Sequence, residues 1–185
     1  MPSDNTKNEA GDGSIVPADA SDSQLRRILV FGNSGAGKST LAARLAAEHG
    51  IEHLDLDLLA WQPTEPPTRV PLEEAAQKLR TFTESFGEWV VEGCYADLLE
   101  LLSVDATTAI FLDLPVAECQ ANARKRPWEP HKYASKEAQD AKLDMLLAWI
   151  AEYPDRDGVL GRKSHEALFD SFAGAKERRV THEPS

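Results

Sequence analysis

The sequence predicts an α/β domain in which helices cover both faces of a parallel sheet. Three observations carry that expectation. Short apolar runs of strand length alternate along the chain with stretches of helical spacing, the pattern of repeated strand–helix units. A glycine-rich turn, Gly32–Ser39, falls where the first apolar run gives way to the first helical stretch. The length of 185 residues, with 42% apolar and 28% charged residues, suits one domain that builds its core without disulfide or metal staples.

Residues 1–24 are expected to form a disordered acidic leader. They are rich in Ser, Asp, Asn, Gly and Ala, and carry Asp4, Glu9, Asp12, Asp19 and Asp22 against Lys7. Such a segment buries too little apolar surface to offset its ordering entropy. Residues 25–185 read as the folded domain. There, Arg27-Ile-Leu-Val-Phe31 is a buried strand, followed by the glycine turn and a helix from Ser39 to His49 that Gly50 ends. Ile51–Leu54 gives a second short strand. The four prolines within Trp61–Pro71 predict a loop. Leu72, Ala75, Ala76, Leu79, Phe82 and Phe86 keep helical spacing and predict a helix over 72–86. Trp89–Val91 and Ala109–Leu112 are further strands, with a Leu-rich helix between them. Pro115 opens another helix at the first-turn position, where its missing N–H costs little. Residues 127–132 break the pattern. Leu143, Leu146, Leu147 and Ile150 then mark a helix ending near Tyr153-Pro154, with Trp149, on its flank beside Met145, read as core. A last strand is expected near Arg178–Thr181.

Charge and composition narrow the function. Twenty Lys and Arg against 31 Asp and Glu give a net charge of -11, which argues against a general electrostatic grip on nucleic acid or an anionic membrane. No apolar run approaches the ~20 residues of a membrane span. Residues 1–24 lack the basic start and apolar stretch of a secretory signal, so a cytoplasmic chain is expected. Cys94 and Cys119 are too few for a disulfide scaffold, and the five histidines show no pair at zinc-ligand spacing.

The decisive motif is Gly32-Asn33-Ser34-Gly35-Ala36-Gly37-Lys38-Ser39, followed by Thr40. It satisfies G-x-x-x-x-G-K-[ST], the phosphate-binding loop or Walker A motif. Its glycines let the backbone curl so that consecutive N–H groups converge on phosphate oxygens. The helix that follows directs its positive end at the same anion. Lys38 reaches the β- and γ-phosphates of ATP, and the Ser39 hydroxyl supplies one ligand to Mg²⁺.

Three further segments belong to the same chemistry. Asp55 and Asp57, in His53–Trp61, follow the second strand, where a parallel sheet opens its ligand crevice. Asp55 is assigned to catalysis and the metal, and Asp57 to the acceptor, although either acid suits either task; the bland alternative is a pair capping the next turn. Glu92, at the end of Trp89-Val-Val, stands where a strand-end carboxylate meets the magnesium shell, and Gly93 allows a ligand close to the backbone. The basic run Arg124-Lys125-Arg126, with His131, Lys132 and Tyr133 beyond it, is placed over the phosphates as a lid. Arg124 or Arg126 would stabilise charge on the transferring group, with Arg156 and Arg162 as weaker candidates. A solvated helix end is the alternative for this run. Trp61, Trp128 and Trp149 are read as packing residues.

With these residues in view, the chain resembles the small P-loop kinases of the nucleoside-monophosphate-kinase fold, in particular the shikimate-kinase and adenylate-kinase-like branch. It is most similar there to bacterial adenylate-kinase-like proteins of the topology modulation type. The shared segments are Gly32–Thr40, His53–Trp61, Trp89–Tyr95, Ile110–Pro115, the basic run at Arg124, and Trp149–Pro154 with Arg156. The resemblance implies a three-layer P-loop NTPase fold with a five-stranded parallel sheet, ATP on the loop, an acceptor segment after the first helix, and a small lid. It also implies that Asp55 and Asp57 match the acids that shikimate kinases place near magnesium and substrate. The chain carries Glu92-Gly93-Cys94 where those kinases have a glycine triplet, and Arg69 or Arg80 stands where adenylate kinases have an AMP-contacting arginine.

The expectation is therefore a kinase that moves the γ-phosphoryl group of Mg·ATP to a small hydroxyl- or phosphate-bearing acceptor, as a monomer or small homo-oligomer. The alternatives are an ATP-dependent switch or slow ATPase without such an acceptor, and, favoured only by the Arg124–Tyr133 cluster, a polynucleotide kinase.

Overall fold

The computed structural model describes residues 25–130 and 133–181. The expected leader lies outside the described residues, as do His131, Lys132 and His182. In chain order, β1 (Arg27–Gly32) runs through the glycine turn into α1 (Lys38–His49) and β2 (Glu52–Asp55). A single helical turn, α2 (Asp57–Ala60), and an antiparallel ribbon of β3 (Trp61–Gln62) and β4 (Thr68–Arg69) precede α3 (Leu72–Ser85). Next come β5 (Trp89–Gly93), α4 (Ala96–Leu102), β6 (Thr108–Leu112) and α5 (Val116–Lys125). The order closes with α6 (Lys136–Asp140), α7 (Leu143–Ala151), α8 (Arg162–Ser171) and β7 (Ala175–Arg179).

The main sheet has the order β2-β5-β1-β6-β7, and every neighbouring pair is parallel. This is the five-stranded parallel sheet the sequence leads one to expect. Alternation along each strand sorts the core into two layers. Leu29 and Phe31 of β1 pack with Trp89, Val91 and Phe111 against α3, α4 and α8. Ile28 and Val30 pack with Val90, Ile110 and Leu112 against α1, α5 and α7. Both faces are covered, so β1, β5 and β6 are apolar almost throughout.

Three local expectations differ from the structure. The proline-rich stretch 61–71 is not wholly irregular: Thr64 Oγ1 accepts from the Thr68 amide, closing the β3–β4 ribbon. The last strand lies at 175–179, earlier than expected, and α8 precedes it. Its sequence Ala-Lys-Glu-Arg-Arg lacks apolar alternation because it is a charged edge strand exposed along most of its length. Trp149 is not core, being 37% exposed, and Met145 on the same flank is 67% exposed. Trp149 instead lies under the Arg156 guanidinium, 3.4 Å from ring centroid to Cζ. Among the described residues, no helix is long and apolar enough to cross a membrane.

Candidate active site

The carboxyl ends of β1, β2 and β5 open into a cleft of about 650 Å³, within the usual range for small-molecule sites. At its centre is the glycine loop. Gly35 and Gly37 have φ values of 75° and 88°, which side chains rarely adopt. A Cβ on Gly35 would stand 2.3 Å from the Cys119 carbonyl oxygen, so the loop lies directly on α5. Asn122 of α5 donates to the Gly35 carbonyl at 3.0 Å and holds the loop from the same side. Gly37 caps α1, with no side-chain cap to the helix N–H groups among the described residues and no acid in the first turn. Those donors therefore face the cleft uncompensated, the arrangement an anion requires. Lys38 Nζ donates to the Asn33 carbonyl at 2.9 Å, and Lys38, Ser39 and Thr40 line the cleft with Ser34, Gly35, Ala36 and Gly37. Gly32 and Asn33 lie behind this surface. The Asn33 amide reaches the Ile150 carbonyl at 3.0 Å and ties the loop to α7.

Carboxylates form one side of the cleft. Glu92 pairs in register with Asp55 across β5 and β2. It is 2% exposed, and its Oε1 has no hydrogen-bond partner among the described residues. Burial pushes its carboxyl above the usual range; Lys38 and the Ser39 hydroxyl act against that rise, and Asp55 adds to it. His53 Nε2 stands 3.9 Å from Glu92 Oε1, and burial pushes the imidazole toward its neutral form. Asp55 Oδ1 accepts from the Asp57 amide at 2.9 Å. Asp57 Oδ1 accepts from the Tyr95 hydroxyl, and the Tyr95 oxygen accepts from Trp61 Nε1, each at 2.6 Å. Gly93 has a structural reason as well as a place in the cleft: a Cβ there would come within 2.9 Å of Leu56.

Arg126, Pro127, Glu129 and Tyr133 overhang the opposite side. Arg126 is paired with Glu129 at 2.7 Å. Arg124, two residues earlier on the helix end, does not line this cleft and faces a separate small cavity with Gln139 and Lys142. Arg162 is also elsewhere, bidentate to Asp113 with both bonds at 2.9 Å. Arg156 donates to the carbonyls of Trp149 and Leu160. Of the two arginines set against AMP contact, Arg69 is bound to Asp97 at 3.0 Å and Arg80 is exposed on α3. Sequence reasoning passed over Asn122, Arg179 and Thr181, which line the cleft, and Asp113 and His165 behind it. Only Asp113 carried a local signal, an acid closing an apolar strand.

The donor set fits magnesium held chiefly by a nucleotide. Among the described residues, no three His, Cys, Asp or Glu side chains converge to hold a metal ion by themselves. Magnesium usually takes one or two protein ligands and completes its shell with phosphates and water. Ser39 and the unpartnered Glu92 oxygen meet that need.

A search of curated protein sequences finds no match. Among solved structures, a sugar kinase from Janibacter sp. is 13% identical, with 87% of this chain and 88% of that chain covered and a TM-score of 0.47. A shikimate kinase from Bacteroides thetaiotaomicron is 18% identical, over 70% and 80% of the two chains, with a TM-score of 0.45. A shikimate kinase from Acinetobacter baumannii, in complex with shikimate, is 20% identical over 78% and 91%, with a TM-score of 0.40. The family described as an AAA domain matches residues 28–143, from β1 to the first residue of α7 and more than half of the chain. The protein thus belongs to the AAA domain family and is one of its P-loop members.

Proposed function

We propose that the protein is an ATP-dependent phosphotransferase that moves the γ-phosphoryl group of Mg·ATP to a small acceptor. The observation that carries this reading is the joining, in one cleft, of an uncapped helix N-terminus bearing Lys38 and Ser39 with the carboxylates Asp55, Asp57 and Glu92. A phosphate donor suits the first group. A hydroxyl that must be oriented and must lose a proton suits the second.

In this mechanism the loop amides and Lys38 hold the β- and γ-phosphates, and Lys38 leaves the Asn33 carbonyl to do so. Ser39 and Glu92 would hold magnesium, directly or through water, with Asp55 beside them. The ion would supply neutralisation of phosphate charge. Asp57, fixed by Tyr95, orients the acceptor. The acceptor oxygen bonds to the γ-phosphorus as the bond from that phosphorus to the β–γ bridging oxygen breaks. ADP leaves with the electron pair, and the hydroxyl proton passes to Asp55 or Asp57. Arg126 turns from Glu129 toward the transferring group. Catalysis is then positioning plus electrostatics.

The test is ADP release by the purified protein with Mg·ATP and a panel of small acceptors. Lys38→Ala should lower acceptor-stimulated release on the order of 100-fold or more while the circular dichroism spectrum stays unchanged. Release that persists in Lys38→Ala defeats the assignment. Tight ATP binding without acceptor stimulation transfers the reading to a nucleotide-dependent switch.

A further inference from the structure

The sheet order divides the cleft by charge. β6 and β7 lie on one side of β1, and β5 and β2 on the other. On the β6–β7 side, the lining residues Lys125 and Arg126 come from the end of α5, with Arg126 paired to the lining Glu129, and Arg179 comes from the end of β7. On the β5–β2 side, the lining residues are Asp55, Asp57, Glu92, Gly93 and Cys94. The other lining cations are Lys38, at the centre of the cleft and given to the β- and γ-phosphates, and Arg44, which pairs with Glu48 one helical turn away on α1, with both side chains about half exposed.

Lys38 apart, the cations nearest the acidic end among the described residues are already engaged. Arg69 is bound to Asp97 at 3.0 Å, and its guanidinium lies 4.7 Å from the Tyr95 ring centroid and 5.7 Å from that of Trp61. Tyr95 is the residue that holds Asp57, so Arg69 stands directly behind the acceptor floor yet is clamped between two rings and a carboxylate. Arg156 is committed to two backbone carbonyls and the Trp149 ring. Asp55 and Asp57 line this end, and the buried Glu92 beside them, whose Oε1 has no partner among the described residues, is the oxygen already given to magnesium. Carboxylates that face an acceptor take donors, whereas an incoming carboxylate or phosphate would be repelled.

Resting on the phosphotransferase reading, we infer that the acceptor is a polyhydroxylated molecule of zero or positive charge, with the chemistry of a sugar, cyclitol or aminosugar rather than of a hydroxy acid or phosphate ester. Hydroxyl and ammonium groups donate to carboxylates. An anionic acceptor would need a cation that Asp97 keeps occupied. Asp97 thus acts as a specificity residue through Arg69, rejecting anionic acceptors without touching them.

The experiment measures ADP release by the full chain with saturating Mg·ATP at low salt, with Lys38→Ala as the blank. One set of acceptors holds neutral sugars, cyclitols and aminosugars. The other holds hydroxy acids, sugar phosphates and nucleoside monophosphates. The expected result is Lys38-dependent release in which the best member of the first set exceeds the best of the second by about tenfold or more in kcat/KM. Lys38-dependent release led by an anionic acceptor overturns this inference and leaves the phosphotransferase standing. No Lys38-dependent release with either set overturns both. A second variant reads the specificity role directly. Asp97→Asn should raise kcat/KM for hydroxy acids about tenfold and leave the neutral set within about twofold. A uniform loss across both sets, or no gain for the acids, removes the role assigned to the Arg69–Asp97 pair.

Discussion

His165 shows how closely one side chain can be specified. It has no exposed surface, its Nδ1 meets the Tyr153 hydroxyl at 2.7 Å, and its Nε2 meets the Cys94 carbonyl at 3.0 Å. A carbonyl only accepts, so Nε2 carries the proton and Nδ1 accepts from Tyr153. Burial brings its pKa down to about 4. An unfolded histidine titrates near 6.5, so between the two values the unfolded chain binds a proton that the native protein refuses. Stability should therefore fall as pH drops from about 6.5 to about 4, by about 3 kcal/mol, and this contribution should be flat below. Urea unfolding across that range checks it. In His165→Gln, which keeps a donor for Cys94, the fall should shrink; an unchanged slope assigns it to another group. Nothing in the sequence around His165 marks this role, because Tyr153 is 12 residues away and Cys94 is 71.

Among the elements, α5 does the most to shape the phosphate loop. Gly35 rests on the Cys119 backbone, and its carbonyl is held by Asn122. Gly35→Ala forces a side chain into both a left-handed φ and a backbone contact. It should cost about 1–3 kcal/mol of stability and weaken nucleotide binding, as thermal unfolding with and without Mg·ATP would read. Unchanged stability together with wild-type nucleotide affinity contradicts the bracing. The loop itself was legible in the sequence because every fixed residue in it has a local reason. Its brace was not, since Asn122 is 87 residues from Gly35. Glu92 was legible as an acid closing an apolar strand. The choice between Arg124 and Arg126 was not, because two residues at a helix end point in different directions and only the tertiary structure shows which faces the cleft. The β3–β4 ribbon and β7 escaped for a similar reason: side-chain hydrogen bonds make one, and pairing with β6 defines the other.

At the scale of the molecule, Asp113 joins the end of β6 to α8 and β7. It accepts from Arg162, and from Arg178 at 3.0 and 2.6 Å, while only 8% exposed. Burial alone would raise its pKa, but the two arginines outweigh that and hold the carboxyl below the usual range. Its contribution is present above the unfolded carboxylate pKa and lost as pH falls through the lower native value. Both guanidinium groups are more than a third exposed, which moderates the effect. Asp113→Ala should cost about 2 kcal/mol at neutral pH and speed hydrogen exchange in β7 before the rest of the sheet. Uniform exchange rates across the sheet contradict its role as the tie for the edge strand. The periodicity of the sequence revealed the sheet itself, whereas this tie arises only when three distant segments meet.

The strand order also sets a timetable for the nascent chain. β1 is the central strand, yet it leaves the ribosome before both its neighbours. Arg27 aligns with Trp89 of β5, and Ile28 with Thr108 of β6, so the strand must wait for some 60 and 80 further residues of translation. During that interval the apolar Ile28–Phe31 has no partner on either edge, which makes it the segment of this protein most in need of a chaperone.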